Sequence, residues 1–272
     1  MKGWMAVICI LLLLLAGSAN AMTVGERTRH FEVYFADPSM ADSQNGVGQT
    51  LESAYKEING YLGTCPVYIK VLVVGKKTMD QVGEHVEAFS AWSNKSSSIV
   101  LREQSCNDKK SLKVVAEHEI CHLGLNNILA AKDSKDFSWM EEGTCMVFSH
   151  EPFSDMKVSK YILSQGFLTP KEIASAVNSE NYNVTKNGYM QSYSLIKFIT
   201  DKYGMDEVVK MMKSKETSYE KAFAETTGTD FSTLYAQWQA HVKSEAQDIE
   251  IPAAWSFYPY LRNEIGLSEF LA

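Results

Sequence analysis

The stretch Val114-Val115-Ala116-Glu117-His118-Glu119-Ile120-Cys121-His122-Leu123 constrains this chain more than any other. It sets a His-Glu-x-x-His pattern inside a segment, Lys109–Leu125, whose Leu112, Val115, Ile120 and Leu123 recur at helical intervals. Residues four apart on a helix share one face, one turn apart. The imidazoles of His118 and His122 can then hold a single metal ion, at roughly 2.0–2.1 Å if it is zinc. Glu119, one position on, reaches a water at that metal without occupying a ligand direction, which is the placement a general base needs. The chain has 272 residues, 45% of them hydrophobic and 22% charged. That is ordinary globular composition with room for a sizeable core, so collagen-like, low-complexity and wholly disordered readings are excluded.

A catalytic zinc site needs a third protein ligand and one open position. Leu125 and Ile128 stand where H-E-x-x-H-x-x-G-x-x-H would place its Gly and third His, which excludes the metzincin pattern. A G-T-x-x-D pattern is missing as well, since Gly143-Thr144 leads to Val147 and Gly228-Thr229 to Ser232. A Glu from a following helix is the remaining option. The segment Trp139-Met140-Glu141-Glu142-Gly143-Thr144-Cys145 resembles the W-x-x-E-G-x-A segment of gluzincin peptidases, the peptidase MA clan, with Cys145 in the small-residue place. The resemblance implies that Glu142 is the third ligand. Glu141 reads as a surface or supporting carboxylate; His150 and the Asp residues of the 133–136 loop are the other ligand candidates. Glu141-Glu142 also fits an acidic first helical turn.

A further stretch, Gly188-Tyr189-Met190-Gln191-Ser192-Tyr193-Ser194 through Lys202-Tyr203-Gly204, resembles the Y-x-x-[GS]-[FY]-[AS] helix of the same clan. By that resemblance Tyr189 donates its hydroxyl to the oxyanion that forms during hydrolysis, and Tyr193 is a packing residue. The likeness covers roughly residues 97–243. It implies a zincin-like, two-lobed α+β fold with one catalytic Zn²⁺. A mixed sheet and helix lobe (22–126) precedes an all-helical lobe (127–247), with the active site between them. The Gly-x-Met-Glu-Asn segment by which aminopeptidases hold a free N-terminus is not present, so exopeptidase specificity is not implied.

Residues 1–21 read as a secretory signal peptide, with Lys2, the apolar run Met5–Ala16, and Ala19 and Ala21 as an A-x-A cleavage site before Met22. The run of 12 residues falls short of the roughly 20 that span a bilayer; an uncleaved anchor is the alternative. Without this segment the chain keeps 25 basic and 33 acidic residues, a net charge of −8, and four cysteines. No later stretch is apolar enough to span a membrane. The expectation is a secreted or periplasmic protein in an oxidising compartment. No Lys/Arg block suggests nucleic acid, and the oligomeric state is left open. Cys121 and Cys145, on the two ligand-bearing segments, are within reach of a bridge that would leave Cys65 and Cys106 as a second pair; four cysteines allow three connectivities.

Along the chain, strands are expected over His30–Ala36, Pro66–Val74 and Ser97–Leu101; the clan resemblance implies that the last is the cleft edge strand that pairs with an extended peptide. Helices are expected over Val47–Leu62, Lys109–Leu125, Ser138–His150, Thr169–Val177, Gly188–Tyr203, Asp206–Lys213, Tyr219–Thr226 and Asp230–Lys243. Val24–Arg29 reads as a loose start. The aromatic tail 248–272 is expected to pack on the body. The functional expectation is a zinc metallopeptidase acting on a peptide or protein substrate. The alternatives are a catalytically inactive zinc-stabilised binding or scaffold protein, and a zinc amidase acting on a cell-wall peptide.

Overall fold

The computed structural model describes residues 23–37, 39, 46–93, 96–130, 132 and 134–247. The signal segment and the aromatic tail lie outside the described residues. The fold is α+β, with a five-stranded mixed sheet followed by a helical region. The strands are β1 (Thr23–Arg27), β2 (Phe31–Phe35), β3 (Ile69–Val74), β4 (Ala88–Ser93) and β5 (Ser96–Arg102). Helix α1 (Val47–Leu62) links β2 to β3, and the single turn α2 (Lys76–Met79) precedes β4. The helical region comprises α3 (Lys109–Leu129), α4 (Ser134–Phe148), α5 (Asp155–Gln165), α6 (Pro170–Val177), α7 (Tyr182–Tyr203), α8 (Met205–Lys213), α9 (Tyr219–Thr227) and α10 (Phe231–Gln247).

The sheet order is β1-β2-β3-β5-β4. Strands β2, β3 and β5 run parallel, and β1 and β4 are antiparallel edges. The alternation of Phe31, Val33 and Phe35 works as its period of two requires. These three, with Ile69, Val71, Val73, Ile99 and Leu101, face a core shared with α1 and α3, while Leu72, Val74 and Val100 pack with Met79 on the other face. The first of these cores is continuous from Phe31 in β2 to Val242 in α10.

Two strand expectations change. Val24–Arg29 is not loose, because most of it is β1, paired with β2. The Glu26 carboxylate fixes it by accepting from the backbone N–H groups of Gly46 (3.0 Å) and Gly48 (2.7 Å) at the start of α1, where unpaired donors need a partner. Ser97–Leu101 lies in β5, which is interior, and the free edge beside it is β4.

The helices follow their caps. Asp108 accepts from Ser111 N–H and starts α3, while Thr169 and Glu172 cap each other's backbone at the start of α6. Asn181 accepts from the N–H groups of Asn183 and Val184, so α7 begins at Tyr182, six residues before the expected Gly188. Helix α5 was not anticipated. Among the described residues no helix is long and apolar enough to cross a membrane.

Candidate metal centre

Helix α3 brings His118 and His122 to one face, with their Nε2 atoms 3.1 Å apart. Helix α4 packs across it and adds Glu142, whose Oε2 lies 3.4 Å from His122 Nε2 and 3.7 Å from His118 Nε2. One ligand atom from each of the three residues falls within 4.8 Å of the others. Both separations from Glu142 are long for a hydrogen bond. Glu142 Oε2 is buried and has no hydrogen-bond partner. A buried carboxylate oxygen aimed at two imidazole nitrogens without bonding to either fits a cation held among the three, since an orphaned acceptor is otherwise costly. Two imidazoles and one carboxylate also form a donor set that zinc accepts.

The outer nitrogens of both rings are held by carboxylates. Glu151 Oε1 lies 2.7 Å from His118 Nδ1, and Glu141 Oε1 lies 3.0 Å from His122 Nδ1. A carboxylate only accepts, so each Nδ1 carries the hydrogen, and it is Nε2 that can turn a lone pair to a metal once any proton there is lost. Burial of the two rings opposes their charged forms. The carboxylates outweigh it, raising His118 to about 10 and His122 well above its ordinary value. Burial acts against the Glu142 anion too, yet the two imidazoles hold its carboxyl far below the usual carboxylate range.

Glu119 is buried, one position after His118. Tyr189 of α7 faces the same space. Burial first, then the charges of Glu142 and Glu119, push its phenol well above the ordinary value, so it remains a hydrogen-bond donor. The close approach of α4 to α7 depends on Gly143, where a Cβ would stand 2.5 Å from Ser192 O and 2.6 Å from Ile196 Cγ1. Gly188 does the same for α6 and α7, since a Cβ there would meet Val177 N at 2.7 Å. Two glycines, one beside Glu142 and one beside Tyr189, thus set the spacing of the site.

The structure therefore brings His118, Glu119, His122, Glu142 and Tyr189 together. Glu141 stands behind His122. His150 is exposed and pairs with Glu57 at 3.2 Å, away from the centre, and Asp136 is exposed; Asp133 lies outside the described residues. Tyr193 is buried, its hydroxyl 3.2 Å from Asp155 Oδ1. Sequence reading missed Glu151. It lies 33 positions from its partner, and only the following Pro152, which stops a helix and keeps residue 151 extended, hints that the chain turns there. His150 makes that turn at φ 53°.

All four described cysteines are buried free thiols. Cys145 hydrogen-bonds with Cys121; burial and that contact push its thiol well above the ordinary value. Cys65 and Cys106 do not pair, being directed to the carbonyls of Ile120 (4.0 Å) and Arg102 (3.8 Å) respectively.

Compared with known proteins, residues 103–244 match the family model described as peptidase MA superfamily. No curated protein matches the chain.

Proposed function

Because the chain belongs to the peptidase MA superfamily, we propose that it is a zinc metallopeptidase of the gluzincin type, exported through residues 1–21 and hydrolysing peptide bonds. The observation that carries this reading is the unpartnered Glu142 Oε2 facing the Nε2 atoms of His118 and His122, with Glu119 and Tyr189 beside them. His118, His122 and Glu142 would hold the zinc ion. Bound there, zinc supplies Lewis acidity, lowering the pKa of a coordinated water toward about 7 and polarising the scissile carbonyl.

The other roles fall to this chain's own residues. Glu119 takes the proton of the attacking water and passes it to the leaving amine. Tyr189 donates its O–H to the oxygen that gains negative charge as the carbonyl is attacked. Glu141 and Glu151 keep the two imidazoles in the tautomer whose Nε2 faces the centre. The free edge of β4 offers backbone groups to an extended peptide.

Metal analysis combined with turnover of wild type and Glu119→Gln on a broad peptide library tests the reading. A zinc-containing wild type that cleaves, and a zinc-containing Glu119→Gln that does not, support it. Zinc in both proteins with turnover in neither favours the zinc-stabilised binding protein instead.

A further inference from the structure

A ring contact closes α7 against the sheet region two helical turns from Tyr189. Tyr182 and Tyr189 are seven residues apart on α7, which puts them on one helix face about 10 Å apart along the axis. Tyr189 looks into the metal centre. Tyr182 instead meets His85 of the sheet region, with ring centroids 4.5 Å apart and 35° between planes. His85 precedes edge strand β4 by three residues. Its loop is fixed by Arg102, a buried side chain that donates to Val86 O (2.9 Å), Gly83 O (3.2 Å), Glu84 O (3.1 Å) and Asp80 Oδ1 (2.8 Å). The ring pair therefore joins a rigid loop at the head of the edge strand to the helix that carries Tyr189.

A cation lies between the two tyrosines along α7. Lys186 lies one turn from each tyrosine on α7, and its Nζ is 5.5 Å from the centroid of the Tyr161 ring of α5. Among the described residues it forms no salt bridge. Tyr161 is itself close to Tyr182: after burial, that neighbour is what raises its phenol above the ordinary value. Three rings and one ammonium, held by a ring face and by no carboxylate among the described residues, thus gather at the Tyr182 end of α7. The metal centre itself is lined by Glu119, Glu141, Glu142 and Glu151.

We propose that His85, Tyr161, Tyr182 and Lys186 form a terminal subsite that receives the free C-terminal carboxylate of a peptide, so that cleavage falls within about three residues of that end. This rests on the peptidase reading above. The ammonium of Lys186 supplies charge-assisted donors to a carboxylate. The His85–Tyr182 contact stops a longer chain from passing. A peptide whose carboxyl end sits at the Ala88 end of β4 also runs antiparallel to that strand, the direction of the more stable pairing.

The test uses a peptide as its free acid, as its C-terminal amide, and as an amide ending in Asp. Each is offered to zinc-loaded wild type and Lys186→Met for turnover, and to zinc-loaded Glu119→Gln for calorimetric binding. The expected result is a preference of roughly 10- to 100-fold for the free acid, as for a hydrogen bond to a charged group. That preference is abolished in Lys186→Met by a rise in KM for the acid alone. A His85→Ala/Tyr182→Ala variant should gain turnover of peptides extended at the carboxyl end. Equal binding of acid and amide overturns the proposal, and binding of the Asp amide at the free-acid level overturns the assignment to a terminal carboxylate. Absent turnover of every peptide counts against the peptidase reading alone, because binding to Glu119→Gln still decides the subsite.

Discussion

Glu151 holds His118 from outside the helices that carry the metal ligands: its Oε1 lies 2.7 Å from His118 Nδ1, delivered by a left-handed turn at His150. His150 is in turn tied to Glu57 of α1, and Glu57 accepts at 2.7 Å from Lys113, which also pairs with buried Glu117 of α3. The orientation of one ligand ring is therefore set by a loop anchored to two helices.

Replacing Glu151 tests that arrangement. Glu151→Ala is expected to weaken zinc binding about 10- to 100-fold, the usual effect of losing such a partner. Glu151→Gln keeps an acceptor for Nδ1–H and should fall between Ala and wild type. Competition with a chelator measures all three, with circular dichroism to confirm folding. Three equal affinities would remove Glu151 from the metal site.

Metal loading should release protons. The raised imidazole pKa values support the metal-free fold fully below their ordinary 6.5, and that support is lost as pH rises, for His118 through about 10. The lowered Glu142 carboxyl supports the fold above its ordinary 4.5, and that support is lost as pH falls through its depressed value. At neutral pH the metal-free site therefore keeps at least one proton between the two facing Nε2 atoms, and zinc must displace it. Apparent zinc affinity should climb with pH up to about 10. Calorimetry in buffers of differing ionisation enthalpy counts the protons, and a count near zero at pH 7 would contradict this prediction.

Tyr189→Phe retains the ring and removes only the donor. Its kcat should drop about 100- to 1,000-fold, as on deleting one oxyanion donor, with KM and thermal midpoint little changed. A kcat equal to wild type would make Tyr189 a packing residue.

Gly143→Ala should destabilise the protein by about 1–3 kcal/mol through overpacking, because the added methyl meets Ser192 backbone. Gly60, in the last turn of α1 with nothing within 4 Å of a built Cβ, is the control. Alanine there should stabilise, by at most the roughly 0.5–1 kcal/mol of a mid-helix glycine. Thermal or urea unfolding of the pair reads both signs, and a Gly143→Ala midpoint at or above that of wild type would refute the tight α4–α7 contact.

What was legible in the sequence was local. His118, Glu119 and His122 share a helix turn, so their spacing brought them forward, while Glu142 and Tyr189 came forward through short segments that resemble those of gluzincin peptidases. Helix α1 was read to its exact ends because Val47, Leu51, Ala54, Tyr55, Ile58 and Leu62 are all buried on one face. The misses have either distant partners or a weak local pattern behind them. β1 depends on Glu26 bonding to Gly46 and Gly48 some twenty residues away. β4, Ala-Phe-Ser-Ala-Trp-Ser, lacks the β-branched residues that mark a strand. Helix α5 buries only Val158, Ser159 and Ile162, too few apolar positions to show a period. Glu151 belongs to no motif, since its role arises only when the end of α4 is folded back over α3.

The continuous core from Phe31 to Val242 has a mechanical consequence. Sheet and helical regions share one packed interior, and interiors of that kind resist deformation. They are therefore not built to swing about a hinge. Such a molecule behaves as a die rather than a jaw. On the peptidase reading, a substrate would have to fit the site as it stands, and segments that are extended or already unfolded would enter more readily than folded ones.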